Sequence, residues 1–262
     1  MDQLLAQIAP QAALFMLIAT RLSAMLVVAP IFSARMVPAR VKAGLVILVS
    51  YITLPIVAAE GGRVPEGIVA FAVLAIKEAI IGFAFGLVAQ FLFAAFQTAG
   101  AFIDVTAGFA ISQTFDPNSN ASISILGRWY NLIAVSSFLA IGGHQLLVAG
   151  IVRSFTLAPP LATPNLHAVI VGVLAKADDI LLVVVEVGAP IIGALLVTDV
   201  TLGIISRSVP QMNVFIVGLP LKIIVALAGS AILLPAMISL INTLSGQMFF
   251  DLSNIVRAAG KG

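Results

Sequence analysis

The sequence predicts an all-α, polytopic membrane protein built from about six long apolar helical segments interrupted by glycine and proline. Hydrophobic residues make up 61% of the 262 residues and charged residues only 9%, where a soluble domain carries about 25% charge. Mean hydropathy is +1.18, so too little polar surface exists to cover the chain in water. The apolar residues also gather into stretches of bilayer length, since roughly 20 residues at 1.5 Å each cross a hydrocarbon core.

The segments fall at about 11–34, 43–59, 67–103, 129–151, 178–203 and 214–245. The first holds Arg21, the first basic residue of the chain. The start therefore lacks the positive region of a cleavable signal peptide, and the segment is expected to stay in the mature protein. The 67–103 stretch would reach about 55 Å as one helix, so it must tilt, break near Lys77-Glu78, or project beyond the bilayer. The 214–245 stretch contains Pro220 and Pro235 and reads as two possible half-helices. From Gly246 the chain turns weakly amphipathic, with Met248, Phe249, Leu252, Ile255 and Val256 among Asp251, Asn254 and Arg257, the pattern of a short interfacial tail over 246–262.

Charge gives little direction. Arg35, Arg40 and Lys42 argue for a cytoplasmic first loop. Simple alternation of six segments, however, leaves basic residues evenly shared between the two sides. The net charge of +2 is dispersed, which excludes a nucleic-acid footprint. With no cysteine in the chain, disulfides, thiolate metal sites and cysteine nucleophiles are excluded. Enzyme and cofactor motifs are absent, and His144 and His167 show no ligand spacing. No cofactor or metal is expected.

Four features carry functional weight. Gly82, Gly86, Ala89, Phe93, Gln97, Gly100 and Asp104 fall within an arc of about 80° on one helix, a small-residue face that suits close packing inside the chain or against another subunit. The stretch Asp104 to Arg128 is rich in turn formers, with Asp116-Pro117-Asn118-Ser119 at its centre and Phe109, Ile111 and Phe115 as apolar tips. A loop this long is either functional or idle. Lys77, Glu78, Glu186 and Asp199 are charged groups within apolar segments, expected to be buried and partnered. Glu186 and Asp199 lie about 20 Å apart along a helix and cannot pair with each other. Lys77 and Glu78 diverge by about 100° as neighbours and need further partners.

The fourth feature is the most specific. Arg207-x-x-Pro210-Gln211-x-Asn213-Val214-Phe215-x-x-Gly218-x-Pro220-x-Lys222 sets polar and helix-breaking residues between two apolar segments. The pattern resembles the signature of the FliR/SctT family of type III secretion export-gate proteins. Arg21 with Pro30 and Pro38, Lys77-Glu78 with Gly82 and Gly86, Gly100 through Gly108-Phe109, Asp116-Pro117, Ala189-Pro190, Thr198-Asp199 and Leu202-Gly203 follow in that family's order. The resemblance covers essentially the whole chain.

It implies a non-enzymatic subunit of the bacterial inner membrane and flagellar basal body, present once in a ring of helical hairpins with FliP and FliQ homologues, beside an FlhB homologue, that passes unfolded substrates. The whole of 1–262 would form one membrane-embedded domain. About 1–128 would be a FliP-like part and about 129–245 the remaining hairpins, including a FliQ-like part. The loop at about 107–124, with Gly108, Phe109, Ile111, Phe115, Asp116, Pro117 and Asn118, would plug the resting pore. The motif residues Arg207, Pro210, Gln211, Asn213, Gly218, Pro220 and Lys222 would meet neighbouring subunits. The competing reading is a secondary transporter with broken helices and Lys77, Glu186 and Asp199 as coupling groups, for which no internal repeat is evident. An intramembrane enzyme comes third.

Overall fold

The computed structural model describes residues 2–33, 37–59, 67–109, 124–162, 165–211 and 213–260. The described residues are α-helices with the caps and turns at their ends, and no strand occurs among them. In chain order these are α1 (Asp2–Val28), α2 (Ala39–Ala59), α3 (Ile68–Ala107), α4 (Ile125–Ala140), α5 (Gly143–Leu157), α6 (Leu166–Ser208) and α7 (Val214–Ala259). Five are long and apolar enough to cross a membrane, and six spans result if α4 and α5 together make one broken span. The all-α polytopic expectation is borne out, while several boundaries move.

The α3 helix runs unbroken through Lys77-Glu78 to Ala107. A break there is unnecessary because both side chains find partners laterally, leaving the helical backbone bonds intact. The expected segment 129–151 divides instead at Ile141–Gly142, where Gly142 takes a left-handed φ of +73° that stops the helix. The α6 helix begins at Leu166, not 178, taking in Lys176 ahead of the Asp178-Asp179 pair. Charges end an apolar run without ending a helix. The expected tail is the last stretch of α7, which contains both Pro220 and Pro235 and continues to Ala259. Each proline removes one backbone bond, but the helix resumes on either side of it.

The chain forms two compact units, neither of them contiguous in sequence. The first comprises Met1–Phe91, Gly142–Ala177 and Ser245–Gly262. Its α1 buries Leu14, Leu17, Ile18, Arg21, Leu22 and Met25, a stripe at three- and four-residue spacing. The first part of α3 lies so close to α1 that a Cβ on Gly82 would sit 2.0 Å from the Arg21 carbonyl oxygen, and one on Gly86 2.7 Å from Val28 Cβ. On α2 only Ser50, Thr53 and Val57 are buried. Its exposed Val41, Ile47, Leu48, Tyr51, Ile52 and Ile56 suit a surface solvated by lipid or protein rather than water.

The second unit comprises Leu92–Ile141 and Asp178–Leu244. Gly100 meets the start of α4, its added Cβ falling 2.7 Å from the Leu126 carbonyl oxygen and the Gly127 Cα. Phe93 and Phe138 pack edge to face at 5.3 Å, and the Tyr130 hydroxyl bonds Ser230 at 3.0 Å. Within this unit α6 and α7 run antiparallel, Leu202 packing on Gly218 and Ile191 on Gly229.

Candidate functional site

Two charged constellations stand out, one in each unit. In the first, Arg21 is fully buried. Its Nε donates to Glu78 Oε2 at 2.6 Å, one terminal nitrogen donates to Ser154 Oγ at 2.8 Å, and the other donates to the Ala158 carbonyl at 2.8 Å. The guanidinium lies 4.2 Å from the centre of the Phe155 ring. This geometry uses the guanidinium's fork of donors and its flat face together. Lys77 donates to the carbonyls of Pro160 and Ala162. Its ammonium also lies 3.3 Å from Glu78 Oε1, an oxygen with no hydrogen bond of its own. The neighbours Lys77 and Glu78 therefore do meet: their Cβ atoms diverge, but the long lysine stem curls back. Two cations share one carboxylate, and the carbonyls of 158, 160 and 162 take up the remaining donors. Such a cluster ties α1, α3 and the turn after α5 into one piece; every polar atom but one is partnered by hydrogen bond, as burial demands.

The second constellation surrounds the 207–222 motif. Asn213 is the N-cap residue of α7, its Oδ1 accepting from the N–H groups of Phe215 and Ile216 at 3.1 and 3.3 Å. Lys222 Nζ reaches Asp199 Oδ2 at 2.9 Å. Gly218 is buried beneath Leu202, whereas Arg207, Pro210, Gln211 and Pro220 are exposed. An open groove of about 600 Å³ runs along this region, lined by Val105, Gly108, Asp199, Phe215, Gly218 and Lys222 among others. Most of its wall is apolar, with the ion pair as its charged part.

The groove reaches the end of α3. Gly108 stops that helix with φ +93°: its N–H bonds the Val105 carbonyl and the Phe109 N–H bonds the Asp104 carbonyl at 3.1 Å, a Schellman cap. Asp104 is itself buried and accepts the Leu126 N–H through both oxygens at 3.2 Å. Ser124 Oγ accepts from Gly127 at 2.7 Å. These bonds fix both ends of the stretch expected to plug a pore. Ile111, Phe115, Asp116, Pro117 and Asn118 of that stretch lie outside the described residues.

The small-residue face divides its contacts inside the chain: Gly82 and Gly86 receive α1, Gly100 receives α4, and the exposed Gln97 accepts from Asn131 Nδ2 at 3.1 Å. Two charges expected to be buried are not. Glu186 and Asp199 are exposed, because α6 buries Val183, Val184, Val187, Ile191 and Leu195 and both acids fall off that stripe. The residue that sequence reasoning undervalued is Arg21, whose signal was its isolation as the sole basic group in the first apolar segment. Its partners Ser154 and Ala158 carried no signal at all. Among the described residues no group of His, Asp or Glu could hold a metal.

Comparison with known proteins gives these arrangements a context. Residues 12–248 match the model of a family described as bacterial export proteins, family 1. The chain belongs to this family. It is 35% identical over 216 residues to the flagellar biosynthetic protein FliR of Bacillus subtilis, covering 81% of this chain and 82% of that protein. It is 30% identical over 236 residues to FliR of Escherichia coli, covering 90% of each. It is also 29% identical over 154 residues to the surface presentation of antigens protein SpaR of Shigella flexneri, covering 59% of each. The matched span of the export family takes in both constellations: the Arg21 cluster and the whole 207–222 motif lie inside it. The resemblance drawn from that motif is borne out.

Proposed function

We propose that the chain is a non-enzymatic subunit of a type III protein-export gate of the flagellar kind, forming with FliP and FliQ homologues, beside an FlhB homologue, the inner-membrane channel that passes unfolded substrates. Its membership of the export family along nearly its whole length carries the reading. The large exposed apolar surfaces of α2, α6 and α7 support it, being more than isolated positions on a water-soluble surface would present. In this reading about 1–128 is the FliP-like part and about 129–245 includes the FliQ-like part. Arg207, Pro210, Gln211, Asn213, Gly218, Pro220 and Lys222 lie at or near subunit boundaries, and the stretch 107–124 closes the resting pore. A plug of this composition has turn residues that let it withdraw and a few apolar tips that seal against apolar rings.

Co-expression with FliP and FliQ homologues tests the assembly. A stable complex is expected, and a well-behaved monomer that ignores both partners would overturn the reading. The plug is tested on the chain's cysteine-free background. Single cysteines at Phe109, Phe115 and Asn118 should resist a membrane-impermeant maleimide in the resting complex, and free labelling would remove the plug from the proposal.

A further inference from the structure

The α6 helix carries two isolated acids in its apolar middle, and only one of them has a partner among the described residues. Asp199 has Lys222 at 2.9 Å. Glu186 is exposed and has no ion pair or hydrogen bond to its carboxylate among the described residues. Around it Leu182 and Val185 are 70% and 62% exposed, and Ala189 and Pro190 are exposed as well. A lone carboxylate on such a surface is costly in lipid. The surface itself is unfavourable in water.

The antiparallel register explains why α7 cannot help. Asp199 lies beside Lys222, and Ile191 beside Gly229, so each step back along α6 is matched by a step forward along α7. Carried on, that register sets Glu186 level with Leu234 and Pro235, neither of which offers a side-chain donor. The backbone adds to the excess of acceptors. Pro190 has no N–H to give the carbonyl of Glu186 four residues earlier, and Pro235 likewise leaves the carbonyl of Ala231 without its helical donor. One carboxylate and two carbonyls lacking helical donors thus fall within about one turn of each other along an apolar helix pair.

We propose that this face of α6 docks an apolar helix of a partner chain that brings one Arg or Lys to the level of Glu186. Charge complementarity selects the occupant: an apolar flank covers Leu182 and Val185, while a guanidinium, with five donors, can serve a carboxylate and a neighbouring carbonyl together. The inference rests on the reading of the chain as one subunit of a larger assembly.

The test uses the full chain in membranes containing the complete gate. A benzophenone attached at Ala189→Cys, one turn from an intact Glu186, should give one discrete protein adduct, mapping within about one helical turn of an Arg or Lys. Glu186→Lys should lower co-purification of that partner about tenfold, and Glu186→Gln about threefold. Reversing the mapped basic residue to an acid should restore the Glu186→Lys complex to within about twofold of wild type. Adducts to lipid alone, or undiminished co-purification by Glu186→Lys, would each overturn the proposal. Failure of the assembly reading looks different, since the wild-type chain would then retain no gate subunit at all.

Discussion

Arg21 and Glu78 meet at 2.6 Å with both side chains wholly shielded from solvent. The pair joins α1 to α3 across 57 positions of sequence, at the point where Gly82 lets the two helices close on the Arg21 backbone. Close approach and charge pairing depend on each other here. Without the glycine the arginine's helix could not come near enough, and without the carboxylate a buried guanidinium would have no counter-charge.

Removing one partner of this pair should therefore be far worse than removing both. Glu78→Ala leaves Arg21 and Lys77 as two buried cations, and a loss of about 3–5 kcal/mol is expected, as for other buried pairs broken on one side. The double variant Arg21→Met/Glu78→Leu should recover at least half of that loss. Thermal unfolding of the detergent-solubilised protein reads both. Equal damage from the single and double variants would mean that shape, not charge, governs the contact.

Gly82→Ala should destabilise the same contact by about 1–3 kcal/mol, the range for overpacking a closed interface. Its Cβ would meet a carbonyl oxygen that cannot move without moving α1. Gly193→Ala in α6 has nothing within 4 Å of the new methyl and should be neutral or stabilising by up to about 1 kcal/mol through helix propensity. The difference in midpoint between the two variants is the measurement.

What the sequence could disclose follows from the same residues. Helices and their approximate number were legible because a run of apolar residues has one satisfactory backbone state in a membrane. Their ends were less so. The expected segment stops short of Lys176 while α6 continues through it to Leu166, and Lys176 finds Asp251 at 3.0 Å, a partner 75 positions away that no local pattern announces. Gly82 and Gly86 were legible as a packing face through their spacing. The choice of α1 as the packed helix was not. Asp199 was legible as a charge within an apolar segment and Lys222 as part of the 207–222 motif, but their pairing depends on the α6–α7 register, which only the folded hairpin sets.

Asp104 should matter more than an ordinary capping residue. It is buried and accepts a backbone N–H at the start of α4 through both oxygens, so Asp104→Ala, which leaves that buried N–H unpaired, should cost about 1–3 kcal/mol, and Ser124→Ala about 1 kcal/mol. Both act on the first turn of one helix, at Leu126 and Gly127. Once that turn frays neither bond remains to be lost, so the double variant should cost less than the sum of the two singles. Unfolding midpoints of the three variants decide this, and strict additivity would show that the two bonds act independently.

The Asp199–Lys222 pair separates an internal role for the 207–222 motif from an external one. In the isolated chain the Asp199 side chain is 51% exposed and that of Lys222 17%, so an ion pair there is worth at most about 1 kcal/mol in water. Lys222→Met should thus barely shift the unfolding midpoint of the lone chain. Assembly of neighbouring subunits over the groove would remove water from the pair, and an unpaired Asp199 would then carry its full desolvation penalty, lowering complex recovery and soft-agar swimming together. The exchanged variant Asp199→Lys/Lys222→Asp decides what the lysine meets. If the two residues serve only each other, exchange restores assembly and swimming to near wild type. If Lys222 also contacts a carboxylate or carbonyl of a neighbouring subunit, exchange puts an acid against that acceptor, and the double variant stays as defective as Lys222→Met.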